Sequence, residues 1–111
     1  MKTREGLMTP RVLYANWKDV VVYSEKGMQP QVLVEAEQYK AVVAGLAAGN
    51  TVPPHPEGPA IFHFLEGSGR MIVGEETFAV QAGATVIVPD GANRGIKAET
   101  QLAFLAVRLP H

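Results

Sequence analysis

Three side chains with chemical capacity sit in two glycine-anchored stretches of this chain. In the first, five residues separate Gly49 from His55, and one residue separates His55 from Glu57. In the second, five residues separate Gly83 from Pro89, then come Gly91 and, after two more residues, Arg94. An imidazole can be a metal ligand, a hydrogen-bond partner or a general base, and the last role needs a substrate proton within reach. His55 stands between Pro54 and Pro56 on a stiff loop, so a surface or hydrogen-bonded role is the plain alternative. A guanidinium is a fixed cation without a lone pair to donate; it repels metal ions and attracts carboxylates and phosphates. The chain has no cysteine, which removes disulfides, thiolate metal sites and cysteine nucleophiles. No residue can be assigned as catalytic on these grounds.

The elements that must position these residues read as strands. Valine outnumbers leucine fourteen to eight, and there are eleven glycines and eight prolines, a balance that favours β-structure with frequent turns. Residues 1–10 read as a loose tail, and Val12 to Tyr23 as an irregular lead-in ending in a strand. Lys26 to Pro30 is a turn, and Gln31 to Gln38 and Tyr39 to Ala47 give one or two long strands. Gly49 to Pro59 holds several prolines, which lack a donor and fix φ, so no regular strand is expected there. Strands follow over Ala60 to Glu66, Arg70 to Val73, Glu76 to Gln81, Ala84 to Val88, Arg94 to Ala98 and Gln101 to Leu109. Turns at Gly67-Ser68-Gly69, Gly74-Glu75, Ala82-Gly83 and Pro89 to Asn93 separate them. Short strands at such intervals indicate an all-β sandwich or barrel.

The length of 111 residues fits one domain, residues 1–111. Apolar residues make up 47% and charged residues 19%, with a net charge of −1, the range of a soluble globular protein. No cluster of lysine and arginine points to nucleic acid. No apolar run approaches the roughly 20 residues of a membrane helix, and the start lacks the pattern of a signal peptide. The expectation is a cytoplasmic protein, with neither nucleic acid nor membrane as partner. Gly67-Ser68-Gly69 joins strands and opens no helix, so it is no phosphate-cradling loop. His111, at the terminus, is expected to be disordered.

The two glycine-anchored motifs resemble those of the cupin superfamily, over about residues 39–109. Phe64 to Gly69, Val73 to Glu76, Ala82-Gly83 and Val88 to Gly91 are similar to that family's central hairpins in order, and Phe104 to Val107 to its last core strand. The resemblance implies an antiparallel jelly-roll barrel of six to eight strands, RmlC-like, with a site inside the barrel and frequently a homodimer. It also implies three histidines and a glutamate as metal ligands. This chain departs from that set. His55 matches the first histidine, Glu57 stands at the second and Arg94 at the third. Counting back from Gly67 puts the glutamate position at Ala60, and counting forward from Glu57 gives Ile61 or Phe62. The positions of a further asparagine and aspartate hold Ala98 and Ala84.

A zinc site keeps about three protein ligands, and a facial-triad iron needs two histidines and a carboxylate. His63 is the only other internal histidine, and strand alternation turns it away from the face that Ala60, Phe62 and Phe64 share. The leading reading is a barrel without a catalytic metal or other cofactor that binds a small polar or anionic ligand at His55, Glu57, Phe62, Phe64 and Arg94. The alternative is a dioxygenase, isomerase or decarboxylase holding iron, manganese, nickel or zinc through His55, Glu57 and a third ligand. A sensing role would require a partner, since no DNA-binding domain fits in the chain. Two readings of Arg94 stay open. It either closes the barrel in a bidentate pair with Glu57 or faces an anionic ligand with His55 as second donor. Trp17 and Tyr23 read as core or as residues of a dimer seam.

Overall fold

The computed structural model describes residues 11–110; the expected tail, 1–10, and His111 lie outside them. Nine strands follow one 3₁₀ turn at Trp17–Asp19. They are β1 Gln29–Glu35, β2 Lys40–Leu46, β3 Thr51–Pro56, β4 Ala60–Glu66, β5 Ser68–Val73, β6 Glu76–Gln81, β7 Thr85–Val88, β8 Asn93–Ala98 and β9 Leu102–Arg108. One sheet runs β1-β2-β9-β4-β7 and the other β3-β8-β5-β6, and every pairing between neighbours is antiparallel. Two facing antiparallel sheets of this order form the jelly roll expected from the sequence, with nine strands where the resemblance implied six to eight.

Period-two alternation explains which faces are inside. Along β4, Ala60, Phe62 and Phe64 are buried while Ile61 and His63 are not. Met71 on β5, Ile96 and Ala98 on β8, and Leu102, Phe104 and Ala106 on β9 complete the same interior. The rings of Phe62 and Phe64 each lie about one ring diameter from Phe104, with centroids 5.5 and 5.6 Å away, an edge-tilted packing that adds to the burial of the rings.

Three expectations need correction. First, Gly49 to Pro59 does contain a strand, β3, in spite of Pro53, Pro54 and Pro56. β3 is an edge with β8 as its only neighbour, so donors are needed along one side only. Between Val52 opposite Ile96 and His55 opposite Arg94, β3 advances three residues and β8 two, a β-bulge placed at Pro53 and Pro54. Second, Val20 to Tyr23 is no strand. The segment crosses the outer face of the five-stranded sheet, so close to β2 that a Cβ on Gly45 would stand 2.4 Å from the carbonyl oxygen of Val22. The absence of a side chain at Gly45 is what admits the crossing. Tyr23 therefore packs on its own barrel, and its hydroxyl donates to Glu66 Oε2 at 2.6 Å. Third, Gly67-Ser68-Gly69 is not a three-residue turn, because β5 starts at Ser68. Gly67 alone takes the bend, at φ +84°, where a Cβ would meet the Gln101 carbonyl at 1.9 Å.

Candidate functional site

The β3 bulge decides where His55 points. Val52 lies on the inner face, and unbroken alternation would place Pro54 there next. The extra residue shifts the parity, so His55 lands opposite Arg94 of β8 and lines the interior with it. Arg94 enters the interior from the turn Pro89–Ala92, which is tied to the β3–β4 loop by the amide of Gly91 donating to the Glu57 carbonyl at 2.8 Å. Arg108, at the end of β9, follows Phe104 and Ala106 in the same alternation and stands opposite Ala60 of β4.

These residues form one end of a cavity of about 80 Å³. Its apolar wall comes from both sheets: Val42, Phe62, Phe104 and Ala106 on one side, Val52 and Ile96 on the other. Met28 and Pro30, before and within β1, also line it. Phe62 is a wall residue as expected, but Phe64 is not; it is completely buried one step deeper, against Phe104. A more open cleft of about 310 Å³, which includes Lys40 and Tyr39, lies next to the cavity. Glu57 and Arg108 line both spaces.

The polar contacts fall into two groups. In the first, the Glu57 carboxylate is held from both sides: its Oε2 lies 2.5 Å from His55 Nε2, and Arg108 Nη1 donates to its Oε1 at 3.0 Å. The other ring nitrogen of His55 faces the Pro53 carbonyl at 3.0 Å. Both ring nitrogens thus meet acceptors, so making both bonds uses two ring protons. Burial by itself raises the pKa of Glu57, but the hydrogen bonds and charges of His55 and Arg108 outweigh it and hold the carboxyl below its usual range. This trio is about one-third exposed, at 43%, 33% and 36% of the side-chain surface for His55, Glu57 and Arg108.

The second group is Arg94 alone. It is the one buried charged or polar residue among those described, 3% exposed. Its Nη2 donates to the carbonyls of Glu57 and Ala92 at 2.9 and 3.2 Å, and Nε contacts the Ala92 carbonyl at 3.4 Å. Nη1 has no hydrogen-bond partner. Burial pulls the guanidinium pKa down, while the charges of Glu57 and Asp90 act through space to raise it. Of the two readings of Arg94, the bidentate pair with the Glu57 carboxylate does not form. Arg94 takes the backbone oxygen of Glu57, and Arg108, a residue that sequence reasoning passed over, takes the side chain. The alternation Phe104, Ala106, Arg108 was the available signal.

The donor chemistry does not fit a resident divalent ion. Among the described residues no group of three or more histidine, cysteine, aspartate or glutamate side chains comes together. His55 and Glu57 are engaged with each other, and two guanidiniums share the space. His63 lies on the outer face, its Nδ1 2.7 Å from Thr85 Oγ1, as alternation predicted.

His55 of β3, Glu57 of the β3–β4 loop, Arg94 of β8 and Arg108 of β9 thus line the interior of an antiparallel jelly roll. The chain belongs to the cupin family: the Cupin domain model matches residues 42–108. Solved structures agree on the fold. A conserved protein of unknown function from Streptococcus pyogenes superposes with a TM-score of 0.77 at 22% identity, over 96% of this chain and 93% of that one. An RmlC-like cupin protein from Desulfovibrio desulfuricans gives 0.79 at 24% identity, over 90% and 98%. A variant of the salicylate 1,2-dioxygenase of Pseudoaminobacter salicylatoxidans gives 0.70 at 22% identity, over 75% of this chain and 27% of the enzyme. At these identities the likeness is one of fold. No curated protein matches the sequence. Among the described residues no helix is long and apolar enough to cross a membrane.

Proposed function

We propose that this cupin is a small-molecule-binding barrel that takes an anionic organic ligand into its cavity without a resident metal ion. The observation that carries the reading is Arg94. A buried cation held only by backbone carbonyls, with one nitrogen lacking any partner, is costly to fold and becomes favourable when an anion completes it. The setting is that of a small-ligand site: apolar walls with a few convergent polar groups at one end. His55 and Arg108 supply further donors once a ligand competes with Glu57 for them.

The test is direct. A panel of small organic anions is screened by thermal shift against the wild type and Arg94→Met. Binding that raises the wild-type melting temperature and vanishes in the variant supports the reading. Equal shifts in both proteins, or none in the wild type, defeat it. Elemental analysis of protein purified without added metal checks the second half. About one equivalent of bound iron, manganese, nickel or zinc would reverse it.

A further inference from the structure

We infer that the ligand is a short organic dianion with an acidic group at each end, the first bound by Arg94 inside the cavity and the second by Arg108 at the wall shared with the outer cleft. The inference rests on the reading that the cavity binds an anion at Arg94, and it makes Arg108 the second anchor.

The charges lining the cavity do not balance. Among the lining residues Glu57 is the single carboxylate, set against Arg94, Arg108 and His55. Both ring nitrogens of His55 meet acceptors, and the form that makes both bonds is a cation. One carboxylate then faces three cations, and a ligand with one charge leaves the polar end positive beside apolar walls. The two guanidiniums also act on each other. Burial opposes the charge on Arg94, and the positive charge of Arg108 opposes it further, against the pull of Glu57. An anionic group on each guanidinium relieves that repulsion.

Arg108 is the cation with donors to spare. A guanidinium carries five N–H groups, and among the described residues the Arg108 side chain commits one, from Nη1 to Glu57 Oε1. It is 36% exposed and lines both the cavity and the cleft. Lys40, in the same cleft, already has the Glu35 carboxylate 3.7 Å away. The spacing of the two anchors follows from Glu57. Arg94 holds its main-chain oxygen and Arg108 its carboxylate, so the guanidiniums stand about one glutamate apart. Two acidic groups joined by about two carbons cover such a reach. The cavity of about 80 Å³ has roughly the volume of two or three waters and takes the first acidic group alone. The second lies in the cleft of about 310 Å³, so the whole molecule does not have to fit inside the barrel.

Calorimetric titration with succinate, with butyrate (the same four carbons and one charge) and with inorganic phosphate tests the assignment on the wild type, Arg108→Gln, Lys40→Gln and Arg94→Met. The wild type is expected to bind succinate about tenfold or more tightly than butyrate, the gain from one further charge-assisted contact, and more tightly than phosphate. Arg108→Gln should bring the ratio of succinate to butyrate affinity to about one, with butyrate binding nearly unchanged. Lys40→Gln removes a cation from the same cleft and should keep the preference. If Arg108→Gln does not fold, the wild-type ratios decide. Arg94-dependent binding with butyrate equal to succinate overturns the inference alone, as does phosphate binding more tightly than succinate, which would put both charges on one centre. A preference that survives Arg108→Gln, or falls equally in Lys40→Gln, overturns the assignment of Arg108. Absence of any binding, or binding that survives Arg94→Met, overturns both the inference and the reading beneath it.

Discussion

The two ends of this barrel are built from the same strands and do opposite things. Toward one end, Phe64 of β4, Leu102 of β9, Met71 of β5 and Ala98 of β8 pack with almost no exposed surface. Toward the other, the same β4, β8 and β9 present Phe62, Arg94 and Arg108 to a cavity. Two residues along a strand separate a plug from a chamber. The packed end carries the stability, and that surplus is what tolerates a buried cation at the hollow end, where an apolar side chain would be the more stable choice.

Adjacent phenylalanines give the sharpest test of this division. Phe64→Ala should cost about 3–5 kcal/mol, the range for removing a fully buried aromatic ring. Phe62→Ala should cost less, about 2–3 kcal/mol, because part of its ring already faces open space. Denaturant unfolding of both variants measures the gap. Equal costs would mean that the hollow end is packed as tightly as the plug.

Arg94→Met inverts the logic. A linear apolar side chain of similar length removes the buried charge and leaves the Glu57 carbonyl its bond from Gly91. Stability should hold or rise by about 1 kcal/mol, while affinity for a small anion falls about ten- to a hundredfold. A large loss of stability would return Arg94 to the role of a structural clamp.

Acid titration separates the ends further. Glu57 has its folded pKa held below the ordinary value of 4.5. A depressed carboxyl pKa contributes stability that is in full force above the unfolded value and is lost as pH falls through the folded one. The loss should start near pH 4.5 and finish below the folded pKa. Glu57→Gln should flatten the stability profile in that window, as followed by urea unfolding at successive pH values. An unchanged slope would show that His55 and Arg108 do not favour the ionised form.

How much of this was legible follows from what each signal encodes. The bounds of β4 and β6 were readable because glycine turns bracket an alternating pattern. β3 was not, because proline forbids a strand only where donors are needed on both sides, and edge position is a tertiary fact. The bulge that turns His55 inward is invisible until pairing with β8 is known. Val20 to Tyr23 has strand composition, yet it serves as a cover over Gly45, whose missing side chain gave the only hint. For the site, the resemblance of the two motifs to those of the cupins implied that His55, Glu57 and Arg94 share one region, but it could not say which oxygen of Glu57 each cation reaches. Arg108 lay beyond the motifs and needed the parity of β9.

The smallest expected effect lies on the outer face, away from both ends. Tyr23 donates to Glu66, which also accepts from Gln101 Nε2 at 3.2 Å. That bond holds the Glu66 carboxyl below its usual range, with Tyr23 the larger cause, while burial and the neighbouring carboxylate push the Tyr23 hydroxyl well above its own. Tyr23→Phe keeps the ring over Gly45 and deletes only the hydroxyl. The loss should be about 1 kcal/mol, concentrated above pH 4.5 where Glu66 is ionised in folded and unfolded chains alike. Because Glu57 and Glu66 share neither partners nor a wall, the losses in Tyr23→Phe and Glu57→Gln should add in the double variant to within about 0.5 kcal/mol. A larger coupling would mean that the lead-in segment braces the chamber, and that the outer cover and the binding end are one mechanical unit.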